Sequence, residues 1–378
     1  MKKPSIYIST FLACAIFFSN AKAQSNSEQI VLAKTVAPTT EKVTSEATKP
    51  ALPNVVILAT GGTIAGAAAT STQSGYTSGQ VTIDAMVDAV PDAKKIANIK
   101  GEQISNVGSQ DMSFEIMLKL ANRINELTKS GTDGVVITHG TDTMEETAYF
   151  LNLVVKTDKP VVLVGSMRPS TAMSADGPLN LYDAISVAAD PEAKNHGVLL
   201  VMNDWIHSAQ SFVKVSTTAV QTFMSPIRGI IGTSNYGKNE YYRVPHKKFG
   251  NKSEFSVDGV KEMPRVDIVY GCVDMDGEMI DAAVKAKAKG IVIAGVGNGN
   301  MTKAALEAVK RATKKGVIVV RSTRVATGDV GRDVEIKDDE YGTIASLELN
   351  PQKSRILLAT ALANGKKQGD MQRIFDQY

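Results

Sequence analysis

The chain has 378 residues, 43% of them hydrophobic and 6% aromatic, which fits two or three domains of about 100 to 200 residues and excludes a small disulfide-stapled fold. Its formal net charge is +3, and Lys2, Lys3 and Lys22 supply this excess within the first 23 residues, which contain no acid. The rest of the chain is therefore neutral overall, and its charge predicts neither a nucleic-acid nor a membrane partner.

The first 23 residues have the layout of a secretory signal. Two lysines precede an apolar stretch at residues 6–18, and a small-x-small motif follows at residues 21–23. A membrane anchor is the alternative, but the apolar stretch is shorter than the ~20 residues that span a bilayer. Lipidation of Cys14 is another alternative, for which residues 11–13 are a poor signal. We therefore predict cleavage after Ala23 and export to the periplasm.

The cysteines and histidines indicate neither a disulfide nor a metal site. Cleavage after Ala23 leaves Cys272 as the only cysteine, so no disulfide can form within the chain. The four histidines are scattered without ligand spacing, and no metal or cofactor is predicted. Residues 24–51 are rich in Thr, Ser, Lys, Glu and Ala, a composition typical of a flexible arm.

From residue 52 onward, short β-branched runs alternate with amphipathic stretches. In chain order they are strand 55–59, helix 114–127, strand 135–138, helix 145–155, strand 161–165, helix 179–189 and strand 198–202. This alternation predicts a mainly parallel sheet flanked by helices. We assign it to a large N-terminal domain at residues 52–242.

The alternation breaks after residue 204 into polar, turn-rich sequence, and we place a linker at residues 243–264. The pattern then resumes as strand 266–270, helix 277–289, strand 291–294, helix 304–313, strand 317–321 and helix 353–363. These stretches predict a smaller C-terminal α/β domain at residues 265–378. The predicted fold class is therefore α/β with two domains.

Two threonine-bearing loops, residues 59–66 and 138–147, directly follow strand-like runs. The carboxyl ends of neighbouring parallel strands share one edge of a sheet, where open α/β sheets bind ligands. A threonine hydroxyl becomes a nucleophile only with a nearby base and with donors for the developing oxyanion. Asp142 is a candidate base, and a lysine held neutral by burial would complete a relay. Gly61 and Gly62 would bring backbone N–H groups close to a substrate.

Each loop taken alone also has a purely structural explanation. A Gly-Gly-Thr sequence after a strand is often a turn and helix cap, and residues 141–143 followed by Glu145 and Glu146 resemble a capped helix start. The glycines at residues 61–66 and 295–300 lack the spacing of a dinucleotide fingerprint. No pyrophosphate site is predicted at either loop.

Six segments are more informative together than singly. They are ATGGTIAG at 59–66, GSQDM at 108–112, THGTDTMEET at 138–147, GSMRPST at 165–171, SADGP at 174–178 and GVGNGN at 295–300. As a set they closely resemble the bacterial type II L-asparaginases, the exported asparaginase and glutaminase-asparaginase family. The resemblance runs in order from about residue 52 to residue 378.

This resemblance implies a nucleophilic threonine with its activating tyrosine, and a second catalytic group that is a triad. Thr63 matches the family nucleophile, which attacks the side-chain amide carbon to give a β-acyl-enzyme and ammonia. Tyr76 matches the tyrosine that activates this threonine from a mobile loop. Thr141, Asp142 and Lys214 match the second triad, in which the lysine and the aspartate polarise the threonine. The order in which the two threonines act stays open.

The resemblance also implies how the substrate is held. The expected substrate-binding residues are Gly62, Ser109, Gln110, Asp142, Asn300 and Glu335. Ser109 and Gln110 match residues that bind the α-carboxylate, while Asp142 also takes the α-ammonium group. Asn300 and Glu335 match residues that reach the site from a neighbouring subunit. A homotetramer with sites shared between subunits is therefore implied.

The sequence thus predicts an exported amidohydrolase that converts L-asparagine to L-aspartate and ammonia through a threonine acyl-enzyme. A broad glutaminase-asparaginase is the alternative, because one additional methylene changes binding by only ~1 to 3 kcal/mol. A catalytically silent amino-acid-binding protein is a rival from another class. An amidotransferase-type domain acting on aminoacyl-tRNA is disfavoured, since the chain lacks a basic surface signal. Many relatives carry a disulfide at the positions of Lys129 and Thr157, so that link is absent here.

Overall fold

The described part of the computed structural model comprises residues 51–73, 77 and 79–378. The strands are β1 (Asn54–Gly61), β2 (Asn98–Val107), β3 (Gly134–Thr138), β4 (Val161–Val164), β5 (Val198–Met202), β6 (Trp205–Ser208), β7 (Val213–Lys214), β8 (Phe223–Met224), β9 (Gly232–Asn235), β10 (Lys238–Tyr241), β11 (Val266–Tyr270), β12 (Gly290–Gly295), β13 (Ile318–Thr323) and β14 (Thr343–Ala345). The helices are α1 (Ile83–Asp88), α2 (Phe114–Lys129), α3 (Met144–Val154), α4 (Gly177–Ala189), α5 (Glu278–Lys285), α6 (Lys303–Lys314), α7 (Asp338–Tyr341), α8 (Pro351–Ala363) and α9 (Gln368–Gln377).

Several predictions for the N-terminal region lie outside the described residues. They concern the signal peptide at 1–23, the cleavage site after Ala23 and, apart from its last residue, the arm at 24–51. Within the described ranges, no helix is both long enough and apolar enough to cross a membrane.

The larger sheet has eight strands in the order β10-β9-β6-β5-β4-β3-β1-β2. Strands β2, β1, β3, β4 and β5 run parallel to one another, whereas β6, β9 and β10 are antiparallel to their neighbours. Successive strand residues point to opposite faces, so Val135 and Ile137 share a core with α2 and α3, while Val136 shares one with α1 and α4. The predicted mainly parallel sheet flanked by helices is confirmed.

The antiparallel part of this sheet was not predicted, because its short strands lie in polar sequence and are joined by tight two-residue turns. Asn203 and Asp204 join β5 to β6 with φ of 50° and 66°, and Tyr236 and Gly237 join β9 to β10 with φ of 50° and 76°. Two successive residues with positive φ match the right-handed twist of a two-residue hairpin. The polar sequence after residue 204 therefore folds back as hairpins.

The smaller sheet is entirely parallel, in the order β11-β12-β13-β14. Helices α5 and α6 pack on one face, and α8 packs on the other face together with residues of the larger sheet's core. The predicted C-terminal α/β arrangement is confirmed, and the helix predicted at 353–363 is α8. Helix α9 was not predicted; it begins shortly after Gly365, whose φ is 72°. The domain boundaries at 52–242, 243–264 and 265–378 remain a prediction.

Candidate active site

The first threonine loop leaves the carboxyl end of β1 through two glycines. A Cβ on Gly61 would lie only 2.4 Å from the carbonyl oxygen of Val107, and Gly62 has φ of 82°. Gly62 N donates to the same carbonyl at 3.1 Å. Thr63 then begins a 3-10 turn and is 5% exposed. The glycines are therefore required to hold Thr63 at this strand end.

The two threonine loops pack directly against each other, as the pairing of β1 with β3 requires. A Cβ on Gly62 would lie 2.3 Å from Gly140 N, and a Cβ on Gly140 would lie 2.7 Å from Ser109 Oγ. Thr60 Oγ1 also donates to the carbonyl oxygen of Thr138 at 2.9 Å. The loops after β1, β2 and β3 thus meet at a single point.

The structure brings Lys214 to the second loop. Its Nζ donates to Thr141 Oγ1 at 2.8 Å and to Asp142 Oδ1 at 2.5 Å. Thr141 is buried, and the side chains of Lys214 and Asp142 are 18% and 60% exposed. Lys214 therefore lies in an ion pair with Asp142, and not in the isolated apolar environment that the sequence analysis expected for a lysine of the relay.

Ser109 and Gln110 lie in a 3-10 turn after β2, and Ser109 is tied to the second loop. Its Oγ accepts a hydrogen bond from Asp142 N at 3.1 Å, and its carbonyl oxygen accepts one from Thr143 Oγ1 at 2.7 Å. Gln110 is exposed, and its Nε2 lies 3.4 Å from Asp111 Oδ2. Gly62, Ser109, Thr141, Asp142 and Lys214 thus form one continuous network of contacts, with Thr63 next to Gly62.

Asn300 and Glu335 come together on the edge of the smaller sheet. Asn300 Nδ2 donates to Glu335 Oε2 at 2.6 Å. The backbone of Asn300 pairs with Val296 in both directions, at 2.8 and 2.9 Å, which closes the loop between β12 and α6. Asn300 Oδ1 is buried without a partner in the described structure, whereas Glu335 is exposed. This pair is therefore preorganised by its own hydrogen bond.

Tyr76 lies outside the described residues, so its predicted role stays a prediction. Thr77, which follows it, forms a bridge with Ala67; the two backbone hydrogen bonds measure 3.0 and 3.1 Å. Residue 77 is thereby linked to the chain that leaves the first threonine loop.

His139 is buried and contacts the second loop and helix α3 through its two ring nitrogens, a role that the sequence did not indicate. Its Nδ1 lies 2.6 Å from the carbonyl oxygen of Gly140, and its Nε2 lies 2.9 Å from Thr147 Oγ1. A carbonyl only accepts, so Nδ1 carries the proton and Nε2 accepts from the threonine. Burial lowers the pKa of His139 to about 4, and the ring is neutral at pH 7.

Lys353, in the first turn of α8, supports the segment that carries Lys214. It is fully buried, and its Nζ donates to the carbonyl oxygens of Gln210 at 2.8 Å and Phe212 at 2.5 Å. Burial lowers the pKa of Lys353 to about 8. Sequence reasoning missed this residue, because a single lysine in a helix is usually solvated.

The same turn of α8 also holds the helix that follows Thr141 and Asp142. Glu145, buried in the first turn of α3, accepts hydrogen bonds from Asn350 Nδ2 at 3.3 Å and from Gln352 Nε2. Arg355 Nη1 lies 3.5 Å from Glu146 Oε2. Glu145 and Glu146, which the sequence analysis interpreted only as part of a helix start, thus also connect the larger sheet to α8.

Chemically, the site places two threonine hydroxyls on adjoining loops and a lysine against one of them. Lys214 donates to Thr141 Oγ1, so the hydroxyl proton of Thr141 is directed elsewhere, toward a substrate or a water. Within the described residues, no group of three or more His, Cys, Asp or Glu side chains could hold a metal ion. The arrangement suits covalent catalysis by a hydroxyl nucleophile.

Comparisons with known proteins agree with this geometry. The family model for the asparaginase N-terminal domain matches residues 54–247, and that for the glutaminase/asparaginase C-terminal domain matches residues 265–375. A Haemophilus influenzae protein named probable L-asparaginase periplasmic is 52% identical over 327 residues, covering 86% of this chain and 93% of the relative. L-asparaginase 2 of Escherichia coli is 52% identical over 328 residues, covering 87% and 94%.

Two further proteins are similar over most of their length. A glutaminase-asparaginase of Acinetobacter glutaminasificans is 48% identical over 330 residues, covering 86% of this chain and 99% of the relative. The crystal structure of a probable cytoplasmic L-asparaginase from Campylobacter jejuni matches with a TM-score of 0.84 and 45% identity, covering 86% of this chain and 100% of that chain. The similarity therefore extends over both sheets.

Proposed function

The chain belongs to the asparaginase family, and on that premise we propose that it is an amide hydrolase that converts L-asparagine to L-aspartate and ammonia. One observation carries the proposal: Lys214 Nζ contacts both Thr141 Oγ1 and Asp142 Oδ1 beside the loop of Thr63. The names of the relatives at 52% identity support asparagine as the substrate.

The proposed reaction has two steps. The Oγ of one threonine, which we assign to Thr63, attacks the side-chain amide carbon, and the C–N bond breaks to leave a β-acyl ester and ammonia. A water then attacks the ester, which releases L-aspartate and restores the hydroxyl. In this scheme Tyr76 takes the proton of Thr63 while its own phenolic proton passes to the departing nitrogen, which leaves as ammonia, and Thr141 orients the water or assists the attack. Lys214 holds the Thr141 hydroxyl in place for this role through its hydrogen bond to Oγ1.

The substrate is a zwitterion, so its recognition needs donors and acceptors at fixed places. We assign the α-carboxylate to Ser109 and Gln110, and the α-ammonium to Asp142 and Glu335. The hydrogen bond from Asp142 N to Ser109 Oγ supports this assignment, since it holds the two ends of the binding site at a set distance. Gly62 and Asn300 complete the proposed set, and no metal or cofactor takes part in these steps.

A broader glutaminase-asparaginase activity is the second candidate. It is favoured by the relative of that name at 48% identity. The two substrates differ by one methylene, which changes transition-state binding by only ~1 to 3 kcal/mol. The ratio of kcat/KM for the two amides distinguishes these candidates directly.

We further propose that residues 1–23 are a signal peptide and that the mature protein is periplasmic, for which the relative named periplasmic is the support. Mass spectrometry of the exported protein tests this, since any first residue other than Gln24 would contradict cleavage after Ala23.

The matches at 54–247 and 265–375 support domains at 52–242 and 265–378. We propose a homotetramer whose sites are shared between subunits. Analytical ultracentrifugation measures the oligomeric state, and full ammonia-releasing activity at a concentration where the protein is monomeric would contradict this proposal.

The experiment that tests the proposed function is ammonia release by purified residues 24–378 from L-asparagine and L-glutamine. Thr63→Ala and Lys214→Met are run in parallel, and circular dichroism checks that both variants fold. We expect turnover by the wild type and a loss of at least about 100-fold in both variants, the scale on which removed catalytic groups act.

Calorimetry with L-aspartate separates hydrolysis from simple binding. A folded wild type that binds L-aspartate but releases no ammonia from either amide would favour the silent binding protein over the hydrolase. Full activity of Lys214→Met would instead contradict the role given to the second triad.

A further inference from the structure

An ion pair between β13 of the smaller sheet and the start of α7 is entirely shielded from solvent. The side chains of Arg321 and Asp338 are 1% and 0% exposed. Arg321 Nε and Nη2 donate to the two carboxylate oxygens of Asp338, each at 2.6 Å. This is a bidentate pair, in which the planar guanidinium and the carboxylate fix each other's orientation.

The remaining donors of Arg321 reach two separate loops. Nη1 donates to the carbonyl oxygen of Asn298 at 3.1 Å, and Nη2 donates to that of Gly331 at 3.1 Å. Asn298 lies two residues before Asn300, and Gly331 lies four residues before Glu335. One buried guanidinium therefore contacts both segments that present the Asn300–Glu335 pair.

Other hydrogen bonds close the same unit. Asn298 Oδ1 accepts from Gly331 N at 2.8 Å and links the two loops directly. Asp338 Oδ2 accepts from Asp333 N at 2.9 Å, and Asp333 Oδ1 accepts from Asp338 N at 2.8 Å. Glu335 thus lies in a short loop between residues 333 and 338, and two hydrogen bonds join the ends of this loop to each other.

We propose that the buried Arg321–Asp338 pair is a positioning device for substrate binding, which holds the loops of Asn300 and Glu335 so that their side chains meet the amino-acid end of the substrate. This inference rests on the proposed function and extends it to residues that do not touch the substrate.

General stability is a poor explanation for such a pair. The cost of removing two charges from water offsets most of their attraction, and well-packed apolar residues often stabilise a protein equally well. Apolar residues cannot supply a rigid fork of donors that reaches four acceptor atoms on three residues. Lysine cannot supply it either, because its donors lie on a single atom and have no fixed plane.

The test compares three chains of residues 24–378: wild type, Arg321→Lys, and the double variant Arg321→Met with Asp338→Leu. The double variant removes both charges together, so it leaves no unpaired buried charge that would unfold the protein. Val292→Ala, which opens a cavity in the core strand β12, is the control for lowered stability without a change in the loops.

We expect Arg321→Lys and the double variant to weaken L-aspartate binding, measured by calorimetry, about tenfold, or about 1.4 kcal/mol. KM for L-asparagine should rise by a similar factor while kcat changes less. In a chain that already lacks both side chains, through Asn300→Ala and Glu335→Ala, the Arg321 substitution should have no further effect, because coupled residues are non-additive.

The proposal is overturned if folded Arg321→Lys and double variants bind L-aspartate as the wild type does, or if Val292→Ala weakens binding to the same extent. An unchanged effect of Arg321→Lys in the chain lacking Asn300 and Glu335 side chains would also overturn it. A wild type that binds L-aspartate without hydrolysing L-asparagine refutes only the proposed hydrolysis, since calorimetry still tests the positioning role. A wild type that does neither refutes both.

Discussion

At the scale of single residues, the candidate site depends on a close approach between two backbones. Gly62 and Gly140 face each other across the boundary between the loops after β1 and β3, and a Cβ on Gly62 would lie 2.5 Å from the Cα of Gly140. Only glycine fits such a contact, and the φ of 82° at Gly62 favours glycine as well. The positions of Thr63 and Thr141 relative to each other are therefore set by two residues without side chains.

We predict that Gly62→Ala lowers kcat for L-asparagine by about 100-fold, because a displacement near 1 Å in a catalytic group has an effect of this size. Gly131→Ala is the matched control: its φ is 90°, but an added Cβ has no atom within 4 Å. It also places an alanine at a positive φ, but without the collision. Equal activities of the two variants in the ammonia assay would show that the close approach is unimportant.

At the scale of elements, helix α8 links the smaller sheet to the site on the larger one. Its first turn holds the backbone ahead of Lys214 through Lys353 and the start of α3 through Asn350 and Gln352. These are the two segments that bring Lys214 to Thr141. The geometry of the second triad therefore depends on a helix from the far end of the chain.

Because Lys353 is buried, the free energy of unfolding should change with pH in the alkaline range. The native pKa is about 8, below the ordinary 10.5, so the folded protein releases this proton first as pH rises. Between pH 8 and 10.5 the unfolded chain binds more protons, and the free energy of unfolding rises with pH by up to about 3 kcal/mol.

Urea titrations of wild type and Lys353→Met at several pH values measure this contribution. The wild type should gain stability relative to Lys353→Met between pH 8 and 10.5, since other titrating groups cancel in the difference. Lys315→Met, at an exposed lysine, is the control. A constant difference between wild type and Lys353→Met would contradict the prediction.

At the scale of the whole molecule, buried histidines make the fold sensitive to acid. Burial lowers the pKa of both His139 and His207 to about 4. His207 Nδ1 lies 2.9 Å from Ser225 Oγ, while its Nε2 is buried without a partner in the described structure. Between pH 6.5 and 4 the unfolded chain binds protons that the native chain does not, so the free energy of unfolding falls as pH falls.

We predict that His207→Phe removes part of this acid sensitivity. The aromatic rings of Trp205 and Phe212 lie 5.8 and 6.3 Å from that of His207, so phenylalanine suits the surroundings. From pH 6.5 to 4 the wild type should lose up to about 3 kcal/mol of unfolding free energy relative to His207→Phe. Denaturant titrations measure the difference, and His246→Asn, at an exposed histidine, is the comparison for removing an accessible imidazole. Parallel pH curves for wild type and His207→Phe would refute the prediction.

Much of the larger sheet could be predicted because its signals are local. The runs that became β1, β3, β4 and β5 are β-branched and buried on both faces, so they read as parallel strands without any partner being known. Strand β2 was not predicted because it is a polar strand at the edge of the sheet, and most of its residues are exposed or half-buried. The hairpins at Asn203 and Tyr236 escaped because positive φ at a non-glycine residue leaves little trace in composition.

The sequence by itself determined the α/β class, the order of most elements and the position of Thr63 and Thr141 at strand ends, because hydrophobic period and strand-end glycines act over a few residues. Lys214 was assigned only by family resemblance, since it lies 73 positions from Thr141. Only the tertiary structure decided that Lys353 and Arg321 are buried beneath the segments of the site. Their burial comes from contacts between distant elements, whereas in the sequence a lysine or arginine that will be solvated looks the same as one that will be enclosed.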